Sequence, residues 1–362
     1  MAQRDGQQCA RPTLFDVAKC AGVSIATVSY ALNGRPGVGE ETRRRVLDLA
    51  KEMGFRPNRL ARGLRLGRAH VLGLLIADIA NPTYTEIAAA VVNEAAVAGY
   101  QVFLSHAGVH GELQRQQVET LLDQRCAGLI FTSVVEEDRA LLEQIHAAGV
   151  PIVQVIRRIC RIHADFVGTD EEAAGYAAAT HLLELGHRCL AMAAGPRTSS
   201  ASRLRAQGVR RALAGAGVEM PARWSVEGDL TVCAGYALAR RVLARAPLPT
   251  AMICGNDVMA LGAMDAMVDA GLRIPEDIAV VGYDDMAFAS SRLIQLTTVH
   301  SPHAEMGKHA VRRLMERIED PELPVQEILV KEHLAVRRTS GNALCGASIS
   351  PYPAEPEEIR SR

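Results

Sequence analysis

From residue 70 onward the chain alternates short apolar runs with amphipathic stretches, and this alternation limits what it can fold into. The runs are 71–77 "VLGLLIA", 101–105 "QVFLS", 127–132 "AGLIFT", 150–155 "VPIVQV", 188–193 "RCLAMA", 250–254 "TAMIC" and 278–283 "IAVVGY". Helical patterns lie between them at 83–98, 112–125, 138–148, 170–185, 200–216, 232–245 and 257–270. Continuous apolar strands separated by helices predict parallel sheets covered on both faces. The units are too many for one comfortable sheet, so two doubly wound subdomains are expected. Such sheets bind ligands at the carboxyl ends of their strands, which places a ligand in a cleft between the two.

The first 70 residues differ. "TLFDVAKCAGVSIATVSYALNG", residues 13–34, holds two short helical patterns separated by Gly22. Thr13 with Asp16 three residues on forms a capping box. Leu14, Phe15, Val17, Ala18 and Ala21 make the first apolar stripe. Ser24 opens the second helix, where Val28 and Leu32 are expected inside and Ile25, Ala26, Ser29 and Tyr30 outside. Residues 40–53 read as a third helix with Val46, Leu49, Ala50 and Met53 inside and Arg43, Arg44, Arg45 and Lys51 outside. Two helices joined by a short Gly-containing turn match the helix-turn-helix, whose second helix enters the DNA major groove; an ordinary helical hairpin is the plain alternative.

Charge favours the first reading. Residues 1–68 carry 13 basic and 6 acidic residues, a net of +7, on a chain whose overall net charge is −1. A basic terminal module on an acidic body is the footprint of a nucleic-acid binder. Aromatic residues make up only 4%, which argues against single-strand stacking platforms. No run of 18 uncharged apolar residues is present, so no membrane partner is expected. Residues 1–12 lack the apolar core of a signal peptide, and the eight Cys show neither C-x-x-C nor zinc spacing. Buried free thiols in a reducing cytoplasm are the expectation, with no cofactor and no metal. Neither G-x-S-x-G nor a P-loop occurs, so enzymatic use of the core is disfavoured.

With these motifs in hand, the chain resembles the lactose-repressor (LacI/GalR) family of bacterial transcription regulators over about residues 12–340. The similarity rests on "DVAKCAGVSIATVSYALNG", "RVLDLAKEMGFRPNRLARGL", "HLLELGHR", "EGD", "NDVMALGAM" and "DIAVVGYDD", in that order. The resemblance implies an all-α helix-turn-helix domain over 12–57 and a hinge helix over 58–68. These join a periplasmic-binding-protein-like α/β core over 69–340. It places an N-subdomain at about 69–168 and 303–325 and a C-subdomain at about 169–298 and 326–340, with a disordered tail over 341–362.

By that resemblance Ile25, Ala26 and Tyr30 read bases, and Thr13, Ser24, Thr27, Ser29 and Asn33 contact the duplex beside them. In the hinge, Leu64 is the minor-groove wedge, with Asn58, Arg59, Ala61 and Arg62 around it. Two hinges on a pseudo-palindromic operator imply a homodimer, and helix 257–270, apolar around more than one face, is a candidate contact. Tyr84, Arg157, Arg205, Asn256 and Asp284 are the expected effector-binding residues, suited to a sugar or sugar derivative. Two departures stand out. Ile156 occupies a place where many sugar-binding members have Asp, and Leu230 one where the lactose repressor has Trp. The expected function is therefore a ligand-responsive repressor of carbohydrate-related genes. A non-sugar effector, for which Arg157 points to an anion, or a silent core is the alternative.

Overall fold

The computed structural model describes residues 12–32, 34–55, 70–108 and 111–341. It divides into two compact units, 1–69 and 70–362.

In the first unit, α1 (Leu14–Ala21), α2 (Ile25–Leu32) and α3 (Glu40–Glu52) surround a small core of Val17, Ala18, Ala21, Val28, Ala31, Val46 and Ala50. The Thr13 capping box is present: Asp16 accepts from the Thr13 N–H at 2.8 Å, and the Thr13 hydroxyl oxygen accepts from the Asp16 N–H at 3.3 Å. Gly22 ends α1 at φ 64°, a left-handed conformation that glycine adopts without strain. Several side chains depart from the expected pattern. Phe15 is exposed rather than in the stripe, and Leu32 is only half-buried while Ala31 takes the inner place. Arg43 and Arg45 are not free on the surface of α3. They donate to the carbonyls of Arg35 (2.7 Å) and Ala21 (3.2 Å), tying α3 to the loop after α2 and to the end of α1.

The second unit contains β1 (Val71–Ile76), α4 (Pro82–Val97), β2 (Gln101–His106), α5 (Glu112–Asp123), β3 (Gly128–Phe131), α6 (Arg139–Ala147), β4 (Ile152–Val155) and β5 (Asp165–Gly168). The chain then crosses to α7 (Glu171–Glu184), β6 (Leu190–Ala194), α8 (Ser200–Gly215), β7 (Ser225–Glu227), α9 (Val232–Leu243), β8 (Ala251–Cys254), α10 (Asp257–Asp269), β9 (Ala279–Asp284) and β10 (Thr297–His300). It ends with α11 (His303–Glu319), β11 (Glu327–Leu329) and β12 (His333–Ala335). Two six-stranded sheets result, ordered β11-β5-β4-β3-β1-β2 and β12-β10-β9-β8-β6-β7. Among the described residues every strand pairing is parallel except β10 with β12.

The apolar runs follow from burial on both faces. Leu72, Leu74 and Ile76 pack under α4 and α11, while Val71 and Leu75 pack under α5 and α6. The second sheet is covered by α9 and α10 on one side and α7 and α8 on the other. The strands β5, β7, β10, β11 and β12 had no expected counterpart. They have three or four residues, and β11 and β12 are only part-buried, so they lack the apolar run that marks a central strand. One boundary moves in consequence. Glu327–Leu329 pairs with Phe166–Gly168 in the first sheet, so the chain returns to the second sheet after Leu329 rather than at 326.

The helix pairs on the second sheet pack through reciprocal glycines. A methyl group on Gly208 of α8 meets the Glu172 carbonyl of α7, and one on Gly175 meets the Arg205 carbonyl. Gly235 and Gly262 stand in the same relation between α9 and α10. Gly208→Ala is therefore expected to lower stability by about 1–3 kcal/mol or more by forcing the helices apart. Gly215→Ala, on the same helix with nothing within 4 Å, should be neutral or raise it by up to ~1 kcal/mol. Denaturant unfolding of both variants checks this; equal losses would remove the close-packing explanation.

Candidate functional site

Segments at the carboxyl ends of six strands meet in one cleft of the second unit. It is lined by Asn81, Thr83 and Tyr84 after β1, Ile156 and Arg157 after β4, Ser199, Ala201 and Ser202 after β6, Leu230 after β7, and Asn256 and Asp284 after β8 and β9, with Arg205 from α8. The cleft holds about 340 Å³ of empty space, its open mouth included. The structure thus brings together all five residues singled out in the core: Tyr84, Arg157, Arg205, Asn256 and Asp284.

Their partners define their chemistry. Arg205 donates from Nε to Glu171 Oε2 at 2.6 Å, from Nη2 to Glu171 Oε1 at 3.2 Å, and from Nη1 to the Gly255 carbonyl at 2.7 Å. Its guanidinium lies 3.3 Å from the Tyr283 ring centre. Burial opposes the charge, but Glu171, Tyr283 and Asp284 outweigh it and hold the group above its usual value. Asn256 caps α10, its Oδ1 accepting from the Met259 N–H at 2.8 Å. Its NH₂ donates to the Leu230 carbonyl at 3.5 Å, which leaves one N–H for a ligand. Asp284 accepts from the Thr83 hydroxyl at 2.9 Å and lies 3.8 Å from His303 Nε2 and 3.9 Å from Arg205 Nη2. Burial pushes its carboxyl up, while Arg205, His303 and Thr83 pull the other way. The Tyr84 hydroxyl accepts from Arg157 Nη2 at 3.2 Å.

Arg157, although it follows directly on a strand end, is buried at 4% exposure, while Arg158 pairs with Glu327. Four supporting residues were not singled out in the sequence: Thr83, Glu171, Asp257 and His303. Asp257 accepts from the Thr298 hydroxyl at 2.5 Å and the Met286 N–H at 2.8 Å, fixing the loop that carries Asp284. Burial, then the nearby Asp284, pushes its carboxyl well up. Its place directly after the Asn256 cap was the one available clue.

In the first unit, Ile25, Ala26 and Tyr30 of α2 are exposed, Thr27 and Ser29 are half-buried, and Thr13 and Ser24 are exposed. Ser24 accepts from the Thr27 N–H at 3.1 Å. Asn33, Asn58, Arg59, Ala61, Arg62 and Leu64, and with them the expected hinge over 58–68, lie outside the described residues, as does the expected tail beyond Gly341. The thiols divide: Cys126 and Cys254 are buried, but Cys20, Cys160, Cys189 and Cys233 are exposed, contrary to the expectation of burial. Among the described residues, no cluster suited to a metal is present and no single helix is long and apolar enough to cross a membrane.

Residues 13–58 match the model of bacterial regulatory proteins of the lacI family, and residues 179–340 match a periplasmic binding protein-like domain. The ribose operon repressor of Escherichia coli K12 is 33% identical over 318 residues, 87% of this chain and 96% of that one. The chain belongs to the lacI family. The transcriptional repressor PurR of Erwinia tasmaniensis is 34% identical over 330 residues, covering 90% of this lacI-family chain and 96% of its relative. A lac repressor dimer bound to operator and an anti-inducer superposes with a TM-score of 0.83 at 31% identity, over 91% of this chain and 99% of that one. A transcriptional regulator CelR–cellobiose complex gives 0.70 at 33%, over 91% and 100%. This chain is thus a DNA-binding transcriptional regulator with a helix-turn-helix module and a two-sheet ligand-binding-type core.

Proposed function

We propose that this lacI-family regulator is a dimeric repressor that reads a pseudo-palindromic operator through α2 and releases or retains it according to a small molecule held by the core cleft. The observation that carries the effector reading is the convergence of Tyr84, Arg157, Arg205, Asn256 and Asp284 from the strand ends of both sheets. Because both sheets contribute, a ligand here bridges the two halves of the core, and bridging shifts the balance between open and closed forms. Such coupling is typically worth about 1–3 kcal/mol between sites. On α2, Ile25 and Ala26 offer apolar contacts such as a thymine methyl, and Tyr30 adds a hydroxyl. Thr27 and Ser29 suit phosphates, which position without reading sequence. Leu64 is assigned the wedge between base steps. Val268 of α10, 65% exposed, with half-buried Leu261 and Met264, supplies apolar surface for the second subunit. We read the core as a binding module rather than an enzyme, working in the cytoplasm with the DNA it controls.

The test is binding of the purified protein to its own upstream DNA at fixed salt, since phosphate contacts dominate affinity. Tyr30→Ala should weaken specific binding by about 1–3 kcal/mol and relax preference at one base pair, with an unchanged salt slope. Arg205→Met should remove the shift that an effector produces. Specific binding that ignores Tyr30 would refute the assignment of α2.

A further inference from the structure

The geometry points to an anionic effector: a small hydroxylated acid whose anion sits between Arg157 and Tyr84 and whose hydroxyl meets Asp284. This rests on the cleft being the effector site. Three observations carry it.

The first is Arg157. Its side chain lines the cleft, is 4% exposed, and donates from Nη2 to Tyr84, while its buried Nη1 has no hydrogen-bond partner. Among the described residues no carboxylate pairs with it, whereas Arg205 has Glu171 and Arg158 has Glu327. A buried, unpaired guanidinium is costly to keep, and an arriving anion relieves that cost. Tyr84 adds to the site: its oxygen accepts from Arg157, leaving its own O–H to donate to the same anion.

The second is the backbone field. Caps or first-turn residues of three helices line the cleft: the cap Asn81 with Thr83 and Tyr84 of the 16-residue α4, the cap Ser199 with Ala201 and Ser202 of the 16-residue α8, and Asn256, the cap of the 13-residue α10. Helix N-termini carry partial positive charge and favour anions. Among the described residues the one carboxylate lining the cleft, Asp284, is already met by Thr83, with His303 and Arg205 near.

The third is Ile156. It is 8% exposed, lines the cleft beside Arg157 and has φ 66°. A β-branched residue in the left-handed region is strained. An Asp would relax that backbone and also neutralise Arg157. The isoleucine instead leaves the guanidinium unpaired and, with Ala201 and Leu230, gives an apolar wall for the carbon frame of the ligand. Ile156 is thus the residue that sets specificity for an acid over a neutral polyol.

Calorimetric titration of the full chain with gluconate, glucose 6-phosphate, inorganic phosphate and sorbitol tests this, with thermal midpoints as a check on folding. At least one anion should bind in preference to sorbitol. Arg157→Met should weaken it about 10- to 100-fold, the loss of a charge-assisted hydrogen bond, and Arg157→Lys should restore part of it. Ile156→Asp should weaken it at least ~10-fold without lowering the thermal midpoint. Gluconate and the phosphate ester are separated by pH. A phosphate's second ionisation near 6 makes its affinity rise from pH 5 to 7, whereas a carboxylate's stays flat. Sorbitol binding while every anion fails overturns the anion inference and leaves the cleft standing. Anion binding that both Arg157→Met and Ile156→Asp leave untouched overturns the inference as well. No binding by any probe counts against both the inference and the cleft.

Discussion

Asp165→Asn is expected to destabilise the core by about 3–5 kcal/mol, the usual cost of stripping the counter-charge from buried ions. Asp165 is fully buried and faces two arginines of α11 that are nearly as buried. Arg317 donates to it at 2.6 and 3.0 Å, Arg313 Nε lies 3.1 Å away, and the Gln326 N–H donates at 2.7 Å. The same arginines reach the carbonyls of Pro321, Leu323 and Pro324, so this cluster fastens the loop that returns the chain to β11. Asn accepts one of these bonds but offers no charge, and two buried guanidiniums remain. For a domain of this size the thermal midpoint should fall by roughly 10 °C. Glu94→Gln, which disturbs a pair whose arginine is well exposed, should cost no more than ~1 kcal/mol. Burial alone raises the Asp165 carboxyl, but Arg317, Gln326 and Arg313 outweigh it and hold it below its ordinary value. A depressed carboxylate stabilises fully above its unfolded value of about 3.9 and loses this as pH falls through the lower folded value. The gap between wild type and variant should therefore stay constant above about pH 5 and close only in stronger acid. A gap that closes near neutrality would transfer the effect to another group.

Much of this architecture is legible in sequence because burial on both faces of a parallel strand writes a continuous apolar run. "VLGLLI" and "IAVVGY" announce β1 and β9 without ambiguity. Edge strands write no such run: β11 alternates exposed and half-buried residues, so its sheet was not readable from its composition. The cleft residues were found by their positions after strands and by family resemblance. Their pairing was not. Nothing in "GTDEEAAGY" says that Glu171 rather than Glu172 reaches Arg205, because that depends on which face of α7 packs against α8. Nor does the sequence say that Arg157 reaches Tyr84, 73 residues earlier in the chain.

Glu171→Gln should damage both stability and effector response, and the two effects can be separated. Glu171 is 4% exposed and makes a two-pronged pair with Arg205. Removing its charge leaves Arg205 buried with the Gly255 carbonyl, the Tyr283 face and, 3.9 Å away, Asp284. A loss of about 3 kcal/mol or more is expected from the uncompensated cation alone. The guanidinium then has one remaining carboxylate close by, Asp284, and movement toward it consumes the acceptor proposed for a ligand hydroxyl. Effector affinity should drop at least ~10-fold, since a hydrogen bond to a charged group is worth about 1.5–3 kcal/mol. Arg205→Met in the Glu171→Gln background discriminates the two routes. It removes the stranded charge, so stability should recover in part while effector response stays lost. If the double variant is no more stable than Glu171→Gln, the ion pair is not what holds this part of the cleft. If Glu171→Gln keeps full effector affinity, Glu171 does not position Arg205 for binding.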